Sequence, residues 1–292
     1  MWSRSISAGR SDGGRRHGRP FLFAAALLAF AAPAHGQGRA DLVGGGPADT
    51  MRYPFVAALS RTTGGNRVYF CGGTLIAPDW ILTAAHCFSP RGRARIGVSG
   101  VWAEVGGSWL REVPDAAQVP VARIFIHPQY DAESQDNDIA LVRLTQPAGP
   151  LIAEIATGPR ADPAQATVLG FGAFYEGSLA RTARLRTGAL ASQLSDRLRQ
   201  AAVRTIAPQA CAQRLGIGGA GTGAFQICAG AGRDETCIGD SGSPLVAEGP
   251  GGADRVIGVV SFGSGCADEL PVTVYTRVSA YAGWIAETMR QQ

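Results

Sequence analysis

The sequence predicts an all-β protein. Its 292 residues include 40 glycines and 17 prolines, which favour the many tight turns that join short strands. Short apolar or alternating segments of strand length recur along the chain, such as Trp80–Thr83 and Ile139–Leu144. One helix is expected at the C-terminus, where Ser279 can cap it. The apolar face of that helix would consist of Trp284, Ile285, Thr288 and Met289.

Residues 1–34 are expected to be a signal peptide. Residues 1–20 are rich in arginine, residues 21–32 form an apolar run that is short for a bilayer span, and Ala32-Pro33-Ala34 fits an A-x-A cleavage site. A membrane anchor or a buried strand is the competing interpretation of the apolar run. The Arg15-Arg16 pair is a weak hint of twin-arginine export. Cleavage would leave a secreted or periplasmic protein without a membrane attachment.

The formal charge of +4 resides in this leader. All 27 basic residues are arginine, and six of them lie before Leu42, against two acidic residues. From Leu42 onward, 21 arginines accompany 21 acidic residues. The body of the protein is therefore formally neutral, and its charge gives no reason to expect nucleic-acid binding.

Six cysteines follow the leader, and export permits disulfides. An even number fits three bridges, although six cysteines allow fifteen pairings. Zinc is disfavoured because there is no C-x-x-C pair and only two histidines follow Leu42. Neither a metal nor a cofactor is expected. The cysteines are Cys71, Cys87, Cys211, Cys228, Cys237 and Cys266.

The segment Gly239-Asp240-Ser241-Gly242-Ser243-Pro244 suits a tight, exposed turn, because glycine tolerates backbone angles that other residues avoid. Such a turn can present the Ser241 hydroxyl beside backbone N–H groups. A nucleophilic serine requires a base, and the attacked carbonyl requires donors for its developing negative charge. Taken alone, the segment also fits an ordinary loop.

Two histidines and two aspartates are candidates to complete such a site. His86 follows an apolar run beside a cysteine that a disulfide could fix, whereas His127 precedes a proline in a predicted surface turn. A base also needs a carboxylate that holds its tautomer. Asp138 is the stronger candidate because it stands directly before an apolar strand, where a carboxylate needs a partner. Asp136 is the alternative, and both aspartates also fit turn or capping positions.

Three blocks resemble the signature sequences of trypsin-like (chymotrypsin-family) serine proteases, in the family's order of histidine, aspartate and serine. They are Leu82-Thr83-Ala84-Ala85-His86-Cys87, Asp138-Ile139-Ala140-Leu141 and Gly239–Pro244. The resemblance covers essentially the whole chain from Leu42 onward. Further matching blocks are Leu42–Gly45, Cys71–Gly73, Gly170–Gly172, Ser261–Gly263, Val274–Val278 and Trp284-Ile285.

This resemblance implies two six-stranded antiparallel β-barrels, a C-terminal helix and an active site between the barrels. A connector at 35–41 would separate the signal peptide from an N-terminal barrel at 42–155 and a C-terminal barrel with the helix at 156–292. The implied activity is hydrolysis of peptide bonds. Polypeptide substrates, protein protease inhibitors as partners and a monomeric state are expected.

The family's roles carry over residue by residue. Ser241 would be the nucleophile, His86 the general base and acid, and Asp138 its orienting partner. The N–H groups of Gly239 and Ser241 would form the oxyanion hole. The implied disulfides are Cys71–Cys87, Cys211–Cys228 and Cys237–Cys266.

The expected substrate pocket departs from the family pattern. Ser261-Phe262-Gly263 would pair with the substrate backbone, and Gly263 matches the open pocket wall of trypsin. Glu235 stands at the pocket base where trypsins have aspartate, which favours arginine or lysine on the acyl side. Thr273 replaces a glycine and would make the pocket shallower, favouring small side chains. Ser243 replaces the usual glycine of the nucleophile loop.

The resemblance also implies a zymogen. A new N-terminus at Leu42 would fold inward, pair with Asp240 and order the oxyanion loop. The residue before that cut is Asp41 rather than a basic residue, so a different protease, or trimming from Arg39, is expected to generate the end. The alternative is that signal cleavage near Ala34 is the only processing that activity requires and that Asp240 pairs with another cation.

Two other functions compete with an endopeptidase. One is a non-catalytic binding protein on the same scaffold; such proteins usually lose a triad residue, and here all three are present. The other is an esterase-like or narrowly specific processing enzyme.

Overall fold

The computed structural model of the protein describes residues 46–107, 110, 118–149, 151–158, 162–172, 197–216, 223–230, 240–263 and 272–291. The predicted signal peptide and connector lie outside these residues. The strands are β1 (Gly46–Pro47), β2 (Val56–Thr63), β3 (Asn66–Ala77), β4 (Trp80–Thr83), β5 (Val101–Val105), β6 (Gln118–Ile126), β7 (Ala140–Leu144), β8 (Glu154–Ile155), β9 (Gln165–Gly170), β10 (Arg199–Ile206), β11 (Gln226–Gly230), β12 (Pro244–Glu248), β13 (Asp254–Gly263) and β14 (Thr273–Arg277). The helices are α1 (Pro208–Leu215) and α2 (Ala282–Arg290), with 3-10 turns at Ala85–Cys87, Pro250–Gly252 and Val278–Tyr281.

The first barrel closes in the strand order β2-β3-β4-β7-β6-β5. Its β2–β3 hairpin turns through Gly64 and Gly65, whose φ angles are 57° and 83°. Two consecutive residues with positive φ suit glycine, and they match the twist of the flanking strands. The segment Thr63-Gly64-Gly65-Asn66 therefore forms a tight hairpin turn.

The second barrel is the ring β10-β11-β14-β13-β12-β9, closed by pairing of β9 with β10. The predicted fold of two six-stranded antiparallel barrels with a C-terminal helix is thus confirmed. A disulfide between Cys211 and Cys228 ties α1 to β11. None of the helices in the described ranges is both long and apolar enough to cross a membrane.

Two short strands that precede β9 in sequence pair with strands of the second barrel. Strand β1 pairs with β10, and β8 runs parallel to β13. An apolar cluster is continuous across both barrels, because Leu82 and Ile139 of the first belong to the same cluster as Phe171 and Val259 of the second. The barrels therefore pack along an apolar seam, and the candidate site lies at the edge of that seam.

Helix α2 packs on this cluster through Trp284, Ile285 and Met289, as its apolar pattern predicts. The predicted cap is wrong. Ser279 lies inside the 3-10 turn at Val278–Tyr281, and Tyr281 occupies the position before the helix without a side-chain cap. The 3-10 turn leads directly into the helix, so there is no extended residue whose side chain could cap it.

Candidate active site

His86 is held in a short, rigid turn at the end of β4. The turn spans Ala85–Cys87 and follows the buried Ala84. A disulfide joins Cys87 to Cys71 of β3, with the two Cα atoms 6.2 Å apart. The apolar run of β4 and this cross-link together fix the backbone from which the imidazole projects.

Asp138 meets His86 at two points. Its Oδ2 lies 2.7 Å from His86 Nδ1, and its Oδ1 accepts the backbone N–H of His86 at 2.8 Å. The Asp138 side chain is fully buried. A buried carboxylate favours the tautomer with hydrogen on Nδ1, which leaves the Nε2 lone pair on the opposite side of the ring to accept a proton.

The second barrel supports Asp138. The Ser261 hydroxyl donates a short hydrogen bond to Asp138 Oδ2, and the Thr276 hydroxyl donates to the Asp138 backbone carbonyl at 2.7 Å. Ser261 was expected only to pair with the substrate backbone, and Thr276 was assigned no role. Asp138 is therefore held by three residues from two barrels, of which His86 and Ser261 contact its carboxylate and Thr276 contacts its backbone carbonyl.

The neighbouring Asn137 adds a further link. Its side chain accepts a 3.0 Å hydrogen bond from the Tyr281 hydroxyl and donates one of 2.9 Å to the Gln129 carbonyl. Its φ of 54° is unusual for a residue other than glycine, although asparagine tolerates it better than most. These bonds hold the loop that carries Asp138 against the C-terminal turn of the chain.

The alternative residues lie elsewhere. Asp136 is exposed on the same loop, two residues before Asp138. His127 packs edge-on against Tyr281 and Trp284, and its Nδ1 accepts the Gln129 N–H at 3.3 Å. Burial lowers the pKa of His127. Its surroundings are those of a structural histidine.

Ser241 lies beside the first barrel. Its backbone carbonyl accepts the N–H of Gly72 on β3 at 2.8 Å, and the N–H of Gly242 bonds to Val260 on β13 at 2.9 Å. Gly242 has a φ of 80°, and a Cβ there would lie 2.3 Å from Thr83 Oγ1. Only glycine fits this position, so the turn around Ser241 is closely specified.

Ser241 and His86 line the same cavity of about 440 Å³, together with the Cys71–Cys87 disulfide. The expected oxyanion donor Gly239 and the pocket residue Glu235 lie outside the described residues, as do Cys237, Cys266 and Leu42.

Two glycines make room for Asp240. A Cβ on Gly170 would approach the Asp240 carboxylate to 2.0 Å, and one on Gly172 to 2.3 Å. The Gly172 N–H donates to Asp240 Oδ1 at 2.8 Å. The Gly170-Phe171-Gly172 block therefore forms a cradle for a buried carboxylate next to Ser241.

Ser243 is fully buried beside Gly72, Gly170 and Tyr69. A Cβ on Gly72 would lie 2.0 Å from the Ser243 hydroxyl. Ser243, which is larger than the family's usual glycine at this position, therefore fits because Gly72 has no side chain. Burial, and then the charge of Asp240, raise the pKa of the adjacent Tyr69, while the Ser243 hydroxyl acts in the opposite direction. Sequence reasoning did not identify Tyr69 as part of this region.

Three expected substrate-binding residues lie at the end of β13 and the start of β14. Phe262 pairs with Val274, and Gly263 pairs with Thr273. A Cβ on Gly263 would lie 3.3 Å from Thr273 Oγ1 and 2.8 Å from the Val272 carbonyl. The expected pocket wall and floor residues are thus direct cross-strand neighbours.

Among the described residues, one group of three metal-ligating types is close together: Cys71, His86 and Cys87. The two cysteines are bonded to each other. Their sulfurs are therefore not available as thiolates, and the group does not fit a metal.

Two closed six-stranded antiparallel barrels with a C-terminal helix are the chymotrypsin-like fold of serine proteases. The family model for Trypsin matches residues 42–285. The chain therefore belongs to the trypsin family of serine proteases.

Curated relatives agree with this assignment. "Hypodermin-B" of Hypoderma lineatum is 34% identical over 254 residues, covering 85% of this chain and 88% of the relative. "Trypsin" of Saccharopolyspora erythraea is 33% identical over 245 residues, covering 82% and 94%. Mouse "Serine protease 56" is 33% identical over 269 residues and 88% of this chain, but the chain spans only 39% of that relative.

Proposed function

We propose that this protein is an exported serine endopeptidase that cleaves peptide bonds through an acyl-enzyme. The observation that carries this proposal is the hydrogen-bonded pair of His86 and Asp138 at the wall of a cavity that Ser241 also lines. Family membership and the disulfides, which are typical of extracellular proteins, support it.

The proposed mechanism assigns one task to each residue. His86 Nε2 takes the proton of Ser241 as the serine oxygen attacks the carbonyl carbon, and Asp138 stabilises the imidazolium that forms. The C–N bond then breaks as His86 gives that proton to the departing amine. In the second half-reaction, His86 deprotonates a water that cleaves the ester to Ser241, and the proton returns to the serine oxygen.

The developing oxyanion would be held by the N–H groups of Gly239 and Ser241. Each such donor stabilises the transition state by on the order of 3 kcal/mol. The backbone bonds from Gly72 to Ser241 and from Gly242 to Val260 support this role, because they restrain the loop next to the donors.

We further propose a preference for arginine or lysine on the acyl side of the cut, owing to the Glu235 carboxylate. The alternative of small side chains rests on Thr273, which pairs with Gly263 across the two strands and would make the expected pocket shallower. A peptide-library profile of the wild type and of Glu235→Ala separates the two. A profile without basic preference that is unchanged in the variant would contradict the first.

The proposal includes export and activation. The signal peptide would direct the chain out of the cytoplasm, and a cut before Leu42 would create the ammonium that pairs with Asp240 in its glycine cradle. The active protein would be a monomer that acts on polypeptides and is subject to protein inhibitors.

Labelling by a fluorophosphonate tests the proposal. Wild-type protein should be labelled once, and Ser241→Ala should not be labelled. Ser241→Ala and His86→Ala should each lower kcat/KM on a peptide ester by about 10⁴ or more, and the double variant should lose little further activity because the two residues act as a unit. Ser99→Ala is the matched control, because Ser99 is an exposed serine.

Near-normal ester hydrolysis by Ser241→Ala would overturn the mechanism. An unlabelled wild type that hydrolyses neither casein nor esters would instead indicate a non-catalytic binding protein. Ester hydrolysis without casein hydrolysis would indicate the esterase-like or narrowly specific enzyme.

A further inference from the structure

The cavity beside Ser241 and His86 extends away from the expected acyl-side strand. Apart from Ser241 itself, the described residues that line it come from the first barrel and its loops, and none of Ser261–Gly263 is among them. The hydrogen bond from Gly72 to the Ser241 carbonyl places the start of this groove alongside β3. If the acyl part of a substrate pairs with Ser261–Gly263 of β13, as the family resemblance implies, the groove along β3 lies on the leaving-group side.

The floor of this groove is apolar. Phe70 and Val68 of β3 line it together with Ile96 and the disulfide next to His86. Val68 is 44% exposed, which is high for a large aliphatic residue of a strand. Phe70 is braced edge-on by the buried Phe88, with ring centroids 5.8 Å apart. The floor can therefore cover apolar parts of an extended peptide without rearranging.

The rim of the groove is positively charged. Arg61 on β2 and Arg93 in the loop after His86 both line it, and no carboxylate is among the described residues that line it. Both arginines are exposed. Within the described part of the chain, neither forms an ion pair, whereas the nearby Arg91 pairs with Glu133 at 2.5 Å. Two guanidinium groups at one groove thus have no acidic partner among the described residues.

We propose that this groove binds the substrate segment that follows the scissile bond and selects acidic side chains there. The inference rests on the proposed endopeptidase function and adds a substrate class to it. A guanidinium presents planar paired donors that match a carboxylate. An extended peptide advances about 3.3 Å per residue, so the second to fourth residues after the cut can reach past the apolar floor to the arginines.

Paired fluorogenic peptides test this inference. Each pair shares one acyl-side sequence and differs only by aspartate or asparagine at the second and third positions after the cut. Purified active protein should show a kcat/KM about three- to tenfold higher for the aspartate peptide at low salt, because exposed charge pairs contribute modestly. The ratio should fall towards one at about 0.5 M salt, where screening is strong.

Variants assign the effect to the groove. In the double variant Arg61→Gln/Arg93→Gln, the aspartate-to-asparagine ratio should fall to about one. Arg95→Gln should keep the wild-type ratio, because Arg95 is an exposed arginine of the same loop that lines a different cavity beside α2. Using the ratio within each variant removes differences in overall activity and folding.

The outcomes separate this inference from the proposed function. Hydrolysis of both peptides at equal rates by the wild type, or a preference that persists in the double variant, would overturn the inference and leave the endopeptidase intact. Failure to hydrolyse any peptide or a matched ester would overturn the proposed function and this inference with it.

Discussion

The hydroxyl of Thr276 donates a 2.7 Å hydrogen bond to the backbone carbonyl of Asp138. Thr276 belongs to the second barrel and Asp138 to the first, and both are buried. Ser261 of the second barrel binds the side chain of the same aspartate. The orientation of the carboxylate that contacts His86 therefore depends on how the barrels are packed together.

Thr276→Val should weaken both stability and activity. Valine has a similar shape but no donor, so the buried carbonyl of Asp138 loses its partner, at a cost of about 1–3 kcal/mol in the free energy of unfolding. A small displacement of Asp138 should lower kcat about ten- to hundredfold. Urea unfolding and ester kinetics measure the two effects.

Thr276→Ser keeps the donor and is the control for the preceding variant. It should recover most of the lost kcat, although it removes a buried methyl group. Equal kcat in the valine and serine variants would show that the hydroxyl does not position Asp138.

Gly172→Ala should disrupt the cradle of Asp240. The added Cβ would lie 2.3 Å from the carboxylate, which has to move and take the neighbouring Ser241 with it. We expect a loss of about 1–3 kcal/mol in stability, as is typical of overpacking, and a loss of at least about a hundredfold in kcat/KM.

Gly97→Ala is the matched control, because a Cβ there meets no atom within 4 Å. Its activity and melting temperature should equal those of the wild type. Full activity of Gly172→Ala would mean that Asp240 does not govern the geometry around Ser241.

Glu104 should make stability depend on pH. Burial raises the pKa of Glu104 to about 7 from an ordinary value of 4.5. Between these values the folded state binds more protons than the unfolded state, so this contribution to stability is fully present below about pH 4.5 and is lost as the pH rises through 7.

Glu104→Gln should therefore flatten the fall in unfolding free energy between about pH 5 and 8, measured by urea unfolding. The exposed Glu248→Gln controls for the loss of one acidic residue and should keep the wild-type slope. An unchanged slope in Glu104→Gln would contradict the assignment.

Asp41→Arg should make the protein activatable by added trypsin. A basic residue before Leu42 supplies the cut that the natural sequence does not offer, and activity should appear together with the Leu42 end. N-terminal sequencing of each active form measures this, with Asp41→Asn as the control. A fully active form that begins at or before Ala40 would contradict the pairing of Leu42 with Asp240.

Much of the fold could be predicted from local sequence patterns. The apolar run Trp80–Thr83 is a strand with the predicted limits, and the consecutive glycines at 64 and 65 form a hairpin turn, which is one of the tight turns that a glycine-rich chain favours. Short strands with clear turn signals depend little on distant residues. The closure of these strands into two barrels was predicted from the family resemblance, because hydrophobic periodicity does not show which strands pair.

Helix α1 was not predicted, although its signals are present. Pro208 occupies the first turn, and Gly216 ends the helix in the left-handed conformation with a φ of 64°. The helix is only eight residues long, and only Cys211 and Ala212 are buried, so its apolar pattern is too short to predict a helix. The Cys211–Cys228 disulfide to β11 and the packing of Leu215 beside it fix this helix to the barrel.

The supporting bonds of the site could not be read from local sequence. Ser261 and Thr276 reach Asp138 across separations of 123 and 138 residues, and no spacing rule connects them. Likewise, the glycines at 170 and 172 matched a family block, but the reason for them appears only when the Asp240 carboxylate lies between them. Such contacts arise from the packing of strands distant in sequence.

The arrangement around Asp138 also bears on the order in which the protein is made. A nascent chain that has emerged only as far as β7 carries His86 and Asp138 but not the hydroxyls of Ser261 and Thr276, nor Ser241. The proposed hydrolytic apparatus is therefore incomplete until the last strand, β14, has been synthesised, and a chain that is terminated before β14 should not hydrolyse peptide bonds.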